Sequence, residues 1–552
     1  MNIIFRVFDD GFAFRYQLTG NKSCIITDEK TTYRFAGEPQ AWSIPWRTEY
    51  YEGLWKKQAL FKTDTMCSPV TLELAQGGYA FLHEANLTDY PAQNFYVKDQ
   101  TLSTYLTPWL NEGRESEAKA YIKTPFSSPW RLMVLADDLT QMVASRLMLN
   151  LNEPCKFKNT TWIQPTKYMG IWWGMHIGNM TWHQSPTHGA TTTNMTRYMR
   201  FAAEHGFGAV LAEGWNKGWE TWVNPVPKHF EFDQPYSDFD MDSIARLGVE
   251  LNVRMIGHHE TGGRADEYES QLEQAFDYAR KHRISIIKTG YVAPLITTND
   301  GVQWNKGQSG VRHYRKVIET AARYHISIDN HEPVMPTGLQ RTYPNLMTQE
   351  GVRGQEWNAW SADGGNPCAH VCTLPFTRLM AGPMDYTPGV FRLDYYNNHG
   401  PRVHGTLMNQ LGLFVCLYSP LQMACDLPEH YMEHPDAFRF IEQVPCDWEQ
   451  SILLDGKIGE YCIYARRDRH SNTWYIGGVT DQQRDVTLDL SRLGLEKNIA
   501  WEAVIYQDAS DADWQTNPYA YHIDTLSLAS TLPAIHMAQG GGFAVRISPT
   551  LP

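Results

Sequence analysis

The chain has 552 residues, 42% hydrophobic and 20% charged, with a formal net charge of −13. That length calls for two to four domains, and the composition is that of a folded protein rather than a disordered one. The acidic balance argues against nucleic acid or an anionic membrane as partner, since both attract basic patches. No run of 18 apolar residues is present, so no membrane span is expected.

Residues 1–155 alternate apolar and polar residues and carry frequent turn signals, as in "VTLELAQGGYAFLHEANL" and "RLMVLADD". This predicts an N-terminal β-domain. The opening "MNIIFRVFDDGFAFRYQL" reads as strand, not as a signal peptide, because it lacks a basic start and is broken by Asp9 and Asp10. The nine cysteines are scattered and read as buried thiols; no second pair has zinc-site spacing.

Over residues 156–440 the pattern changes, and short apolar runs alternate with helix-period segments. "YMGIWWGM", "GFGAVLAEGWN", "VELNVRMIGHHE", "ISIIKTGYV", "ISIDNHE", "NLMTQEG", "TRLMAGPMDY" and "LYSPLQMACD" supply eight candidate strands. Between them, Tyr268, Leu272, Ala275, Phe276 and Ala279 fall on one helix face, and Val311, Tyr314, Val317, Ile318 and Ala321 on another. Eight such alternations predict a (β/α)₈ barrel of the TIM type. From 441 to 552 alternation returns without helices, predicting a C-terminal β-sheet domain.

Barrel function concentrates at the C-terminal strand ends. Those ends carry Glu213, His259-Glu260, His331-Glu332, Glu350 with Glu356 close behind, and Asp385. Several acids aimed at one cavity repel by about 4 kcal/mol per pair at 4 Å, for an effective dielectric of 20. Protons or a cation have to relieve this, and oxygen-only ligands favour Ca²⁺ over zinc. Carboxylate pairs also suit glycoside hydrolysis, and Trp172, Trp173, Trp215 and Trp219 are available to stack on sugar faces.

The stretches "YMGIWWGMHIGNMTW", "HGATTTN", "AEGWN", "HHETGG", "NHEPVMPTG" and "GVRGQEWN", in this order, resemble glycoside hydrolase family 97, closest to its inverting, calcium-dependent α-glucosidases. The resemblance implies a β-supersandwich, a catalytic barrel and a C-terminal β-domain. It implies exo-action on non-reducing ends of α-glucans or maltooligosaccharides, with Glu356 as general acid and Glu332 and Glu260 as bases. It assigns Ca²⁺ to Glu84, Glu332, Glu350 and Glu356, and sugar contacts to Glu213, His259, His331 and Trp215. Retaining members carry an aspartate nucleophile after the fourth strand, where this chain has Gly290 in "IIKTGYV". The alternatives are a retaining α-galactosidase of the same family, or a catalytically impaired glycan-binding protein. The chain opens part-way through the family's first domain, which implies a truncated supersandwich. Family members are periplasmic, whereas the chain as given carries no address and would remain cytoplasmic.

Overall fold

Alternation dictates the first elements. Asn2–Phe8 and Gly11–Leu18 pair antiparallel, with Phe8 opposite Gly11 across the turn. The computed structural model, which describes residues 1–221, 229–396, 400–496, 498–528 and 532–550, places this hairpin at one edge of an eight-stranded sheet. A four-stranded sheet faces it, and Leu72, Ala80, Leu82, Phe95, Leu102 and Met133 fill the space between. The outermost strand exposes Ile3, Phe5 and Val7. The other face of the large sheet meets the barrel. Phe81, Ala85 and Trp130 join the barrel's apolar cluster, and His83 bridges Ser68 Oγ (2.7 Å) and the Pro336 carbonyl (2.8 Å).

The barrel is built from parallel strands Thr166–Gly170, Ala209–Ala212, Arg254–Glu260, Ile286–Gly290, Ser327–Asn330, Leu346–Gln349 and Leu421–Ala424. They neighbour one another in chain order, and the last returns beside the first. The helices Ala265–Lys281 and Gln308–Arg323 bury the two apolar faces expected from their periodicity. The expected strand in "TRLMAGPMDY" does not form. The segment makes a 3₁₀ turn, Arg378–Ala381, and a single parallel bridge between Met384 and Gln349. The reason is local. Pro383 has no N–H to give a ladder. The fully buried Arg378 guanidinium instead donates to the carbonyls of Gln349 (2.8 Å), Glu350 (3.0 Å) and Gly382 (3.0 Å). Met384 N donates to the Tyr418 carbonyl at 3.0 Å, so the bridge spans the gap and the barrel is nearly closed.

The C-terminal domain is a six-stranded antiparallel sheet with a two-stranded companion. It docks on the buried helix Leu407–Cys416 at a place where only glycine fits. A Cβ on Gly477 would stand 2.6 Å from the Gly412 carbonyl, and one on Gly412 would stand 2.5 Å from the Gly478 carbonyl. The three-domain order expected from the sequence is the order observed.

Candidate active site

The C-terminal ends of the barrel strands enclose a cavity of about 820 Å³. Glu213, Glu260, His331, Glu332, Glu350 and Glu356 all line it. The third strand shows why the adjacent histidine does not. Side chains alternate along a strand, so His258 and Glu260 point inward together while His259 points out. His258 lines the cavity, whereas His259 is buried against Phe276 and pairs with Tyr268 Oη at 2.9 Å. His259, expected to contact a sugar, therefore faces away from the cavity, and His258 faces into it. Trp215 is corrected in the same way: it stacks on Tyr278, and its Nε1 donates to the His258 carbonyl at 3.1 Å. Among the described residues, the tryptophans that line the cavity are Trp172, Trp182, Trp219, Trp357 and Trp360.

Glu84 is also not there. It alternates with Ala80 and Leu82 on the sandwich side of its strand. Its carboxylate accepts from Arg131 Nη1 at 2.6 Å and from Gln93 N at 2.7 Å, and Arg131 in turn holds Glu29 at 2.7 Å. The N-terminal domain instead reaches the cavity through Glu49, Tyr50 and Glu52, a loop that sequence reasoning missed. Tyr50 and Tyr51 both adopt positive φ (53° and 65°), a conformation that costs non-glycine residues free energy and needs support from outside the loop. Lys306 of the barrel supplies support: its Nζ donates to the Trp46 carbonyl (2.8 Å) and sits 4.7 Å from the Tyr51 ring centroid. Glu52, thus delivered, accepts from Trp357 Nε1 at 2.8 Å.

Four glutamates on this cavity disturb one another. Burial, then the charge of Glu350, pushes the carboxyls of Glu52 and Glu332 well above the ordinary range, and Glu356 up to about 8. Glu350 goes the other way. Burial opposes its ionisation, but His331 Nδ1 at 3.1 Å and the Glu332 N–H at 3.1 Å outweigh it. One carboxylate of the four thus keeps its charge easily, and burial together with that charge keeps protons on its neighbours. Glu332 itself sits at φ 42° and accepts from Tyr291 N at 2.7 Å.

A second network lies beneath. His331 Nε2 meets Asp385 Oδ2 at 2.8 Å, and Asp329 stands at 3.7 Å. Asp329, His331 and Asp385 bring ligand atoms within 4.8 Å of one another, a spacing able to hold a metal ion. No three of the cavity glutamates meet that spacing among the described residues. Lys288 already neutralises this deeper group. Its ammonium pairs with Glu213 Oε1 at 3.3 Å and feels Asp385 and Asp329 as well. Burial alone would raise Glu213, but His258, Lys288 and the Trp182 donor (2.9 Å) bring it down to about 2. Because burial keeps His258 itself at about 4, Lys288 rather than His258 supplies the positive charge beside Glu213 at neutral pH.

Gly290 ends the fourth strand beside Glu260. A Cβ there would stand 2.1 Å from Glu260 Oε2, so the Glu260 carboxylate occupies the space a side chain at 290 would need. Glu260 Oε1 accepts from Gly262 N at 2.6 Å, which fixes it in place.

Known proteins resemble this chain along its length. Residues 1–154 match the glycosyl-hydrolase 97 N-terminal model, 172–352 the glycoside hydrolase 97 model, and 447–548 the glycosyl-hydrolase 97 C-terminal, oligomerisation model. A glycoside hydrolase family 97 enzyme from Pseudoalteromonas sp. strain K8, solved with acarbose, is 39% identical, with all of this chain and 85% of that one covered and a TM-score of 0.94. A variant of it is solved with panose. A retaining alpha-galactosidase from Bacteroides thetaiotaomicron is 28% identical over 99% of this chain and 83% of its own length. A probable retaining alpha-galactosidase from Streptomyces bingchenggensis is 27% identical over 87% of this chain and 68% of its own. With all three family models in order and a 39% identical relative matched over the whole of this chain and 85% of its own, the chain belongs to glycoside hydrolase family 97.

Proposed function

We propose that the protein is an exo-acting glycosidase that cleaves α-glucosidic bonds at non-reducing ends, with inversion. The observation that carries this reading is Gly290, with Glu260 in the space beside it. A retaining mechanism needs a carboxylate that attacks the anomeric carbon, whereas an inverting one needs a base that directs water from the face opposite the acid. The fourth strand ends without a nucleophile, and Glu260 and Glu332 supply carboxylates for the base. Glu356, protonated below about pH 8, suits the acid that donates to the leaving oxygen. Glu213, His258, Lys288 and His331 offer donors and acceptors for sugar hydroxyls around the same space. Acarbose and panose in the 39% identical relative support an α-glucoside as substrate.

The names of the Bacteroides and Streptomyces relatives favour a second reading, a retaining α-galactosidase. One experiment separates them. Nitrophenyl α-glucoside and α-galactoside are offered in parallel, and the first-formed anomer is followed by proton NMR. Glucoside turnover with β-glucose first is the expected result; galactoside turnover with the α-anomer first reverses the assignment.

We infer that the cavity glutamates, though spread more widely than Asp329, His331 and Asp385, would draw together around a hard divalent cation, because their carboxylate oxygens repel one another when no cation is present. Glu52, Glu332, Glu350 and Glu356 are the residues to hold it, with Glu52 taking the place expected for Glu84, and calcium is the ion proposed. Bound there, it would neutralise the cluster and keep Glu332 ionised as a base. The test needs no turnover. Glu356 is raised from 4.5 to about 8 in the fold, so between those values the folded chain holds a proton the unfolded chain has released. Stability therefore falls as pH rises through that window. In chelator, Tm is expected to drop between pH 5 and 8. Calcium at a hundredfold excess over its Kd is expected to raise Tm by about 2–3 °C at pH 8, and by less at pH 5. A Tm indifferent to calcium at both values counts against the cation.

A further inference from the structure

Two smaller hollows adjoin the catalytic cavity. His176, on its wall, also lines a hollow of about 310 Å³ with Ile177, Tyr395 and Tyr396. Ile177 and Tyr395 pass on to a third hollow of about 480 Å³. Shared walls make the three spaces neighbours, and both outer hollows fall within the range of about 300–1,000 Å³ typical of ligand sites. The division between the first two is a built contact, with Trp360 Nε1 donating to His176 Nδ1 at 3.1 Å. Trp360 is 48% exposed at that rim.

The segments lining this track leave the barrel at one end. His176 and Ile177 follow the first strand, residues 392–396 follow the Met384 bridge, and His430, Glu433 and His434 follow the last strand. All are C-terminal ends, the face that carries the catalytic cavity. The C-terminal domain adds Tyr519, whose ring stacks on His434 with centroids 5.0 Å apart and whose hydroxyl accepts from Leu393 N at 2.6 Å.

The chemistry of the far hollow selects a neutral polyol. Arg392 is ion-paired with Glu433, so its charge is already balanced and does not call for an anion. Asp394, His434 and Asn179 add donors and acceptors, and apolar wall is scarce, which disfavours an acyl chain or an apolar peptide. Sugar hydroxyls both donate and accept, and tyrosine edges and faces suit the ring between them.

We propose that the two outer hollows bind the distal glucosyl units of an α-glucan whose non-reducing end fills the catalytic cavity, so that a long oligosaccharide is hydrolysed more efficiently than a disaccharide. This rests on the α-glucosidase reading. The test compares kcat/KM on maltose and maltoheptaose for the wild type, for Arg392→Ala/Glu433→Ala, which removes both charges together, and for Asp394→Asn, which keeps size. Both variants are expected to lose about 5- to 10-fold on maltoheptaose, the scale of one hydrogen-bonded contact, with maltose unchanged. No loss on maltoheptaose, or equal loss on both sugars in both variants, overturns the groove while leaving the α-glucosidase reading intact. A wild type that hydrolyses neither sugar overturns that reading and the groove with it.

Discussion

Glu356→Gln is expected to lower kcat/KM on maltose by about 10²–10⁴-fold, the range for losing a positioned general acid. A glucose leaving group departs poorly without a proton, so the loss falls on the chemical step. The residue is buried on the cavity with Glu350 charged nearby, and that pairing holds its proton to about pH 8. The wild-type profile of kcat/KM is thus expected to fall on the alkaline side where the acid form is lost, at about pH 8 in chelator and at lower pH with calcium bound. A nitrophenyl substrate, whose leaving group needs little help, should keep far more of its rate in the variant, and its profile should lose the alkaline limb. The isosteric amide keeps the Gly354 N–H partner at 3.1 Å through its oxygen, so circular dichroism should match the wild type, as should Tm at pH 5, where Glu356 is protonated. An alkaline limb that persists in Glu356→Gln assigns the titration to another group.

Much of this architecture is legible in the chain because it is periodic. The helix faces built on Tyr268 and Val311 bury as their spacing demands. The glutamates at strand ends share a cavity because a parallel barrel aims its strand ends one way. The failures are equally physical. His258 was readable by counting back two residues from Glu260, whereas taking the adjacent His259 ignored the alternation of a strand. The same count places Glu84 with Ala80 and Leu82 inside the sandwich, away from the barrel. Glu52 was not readable at all, since nothing in "TEYYEG" says that its loop crosses to another domain's mouth under Lys306. The missing seventh strand turns on Arg378, whose guanidinium takes carbonyls that a ladder would otherwise use, a tertiary outcome that strand propensity does not carry.

Gly290→Ala is the smallest change with a large expected effect. The added Cβ would stand 2.1 Å from Glu260 Oε2 and 3.1 Å from His258 Nε2, closer to the carboxylate than any real contact. Glu260 has to move, and its other oxygen is tied to Gly262 N at 2.6 Å in a turn where Gly262 and Gly263 both hold positive φ. Displacing a base by about 1 Å costs on the order of 10²-fold in rate. We therefore expect kcat on maltose to fall about 10²-fold while the backbone, unstrained at 290, keeps its fold. Gly290→Asp is expected to be no better. It installs the residue type of a retaining nucleophile in space that Glu260 holds, so no α-anomer should appear first by NMR. The decisive measurement is the double variant. If both substitutions act by taking one carboxylate out of position, Gly290→Ala/Glu260→Ala will be no slower than Glu260→Ala alone, a failure of additivity expected for residues in contact. Additive losses would mean that Gly290 matters for a reason other than the room it leaves for Glu260.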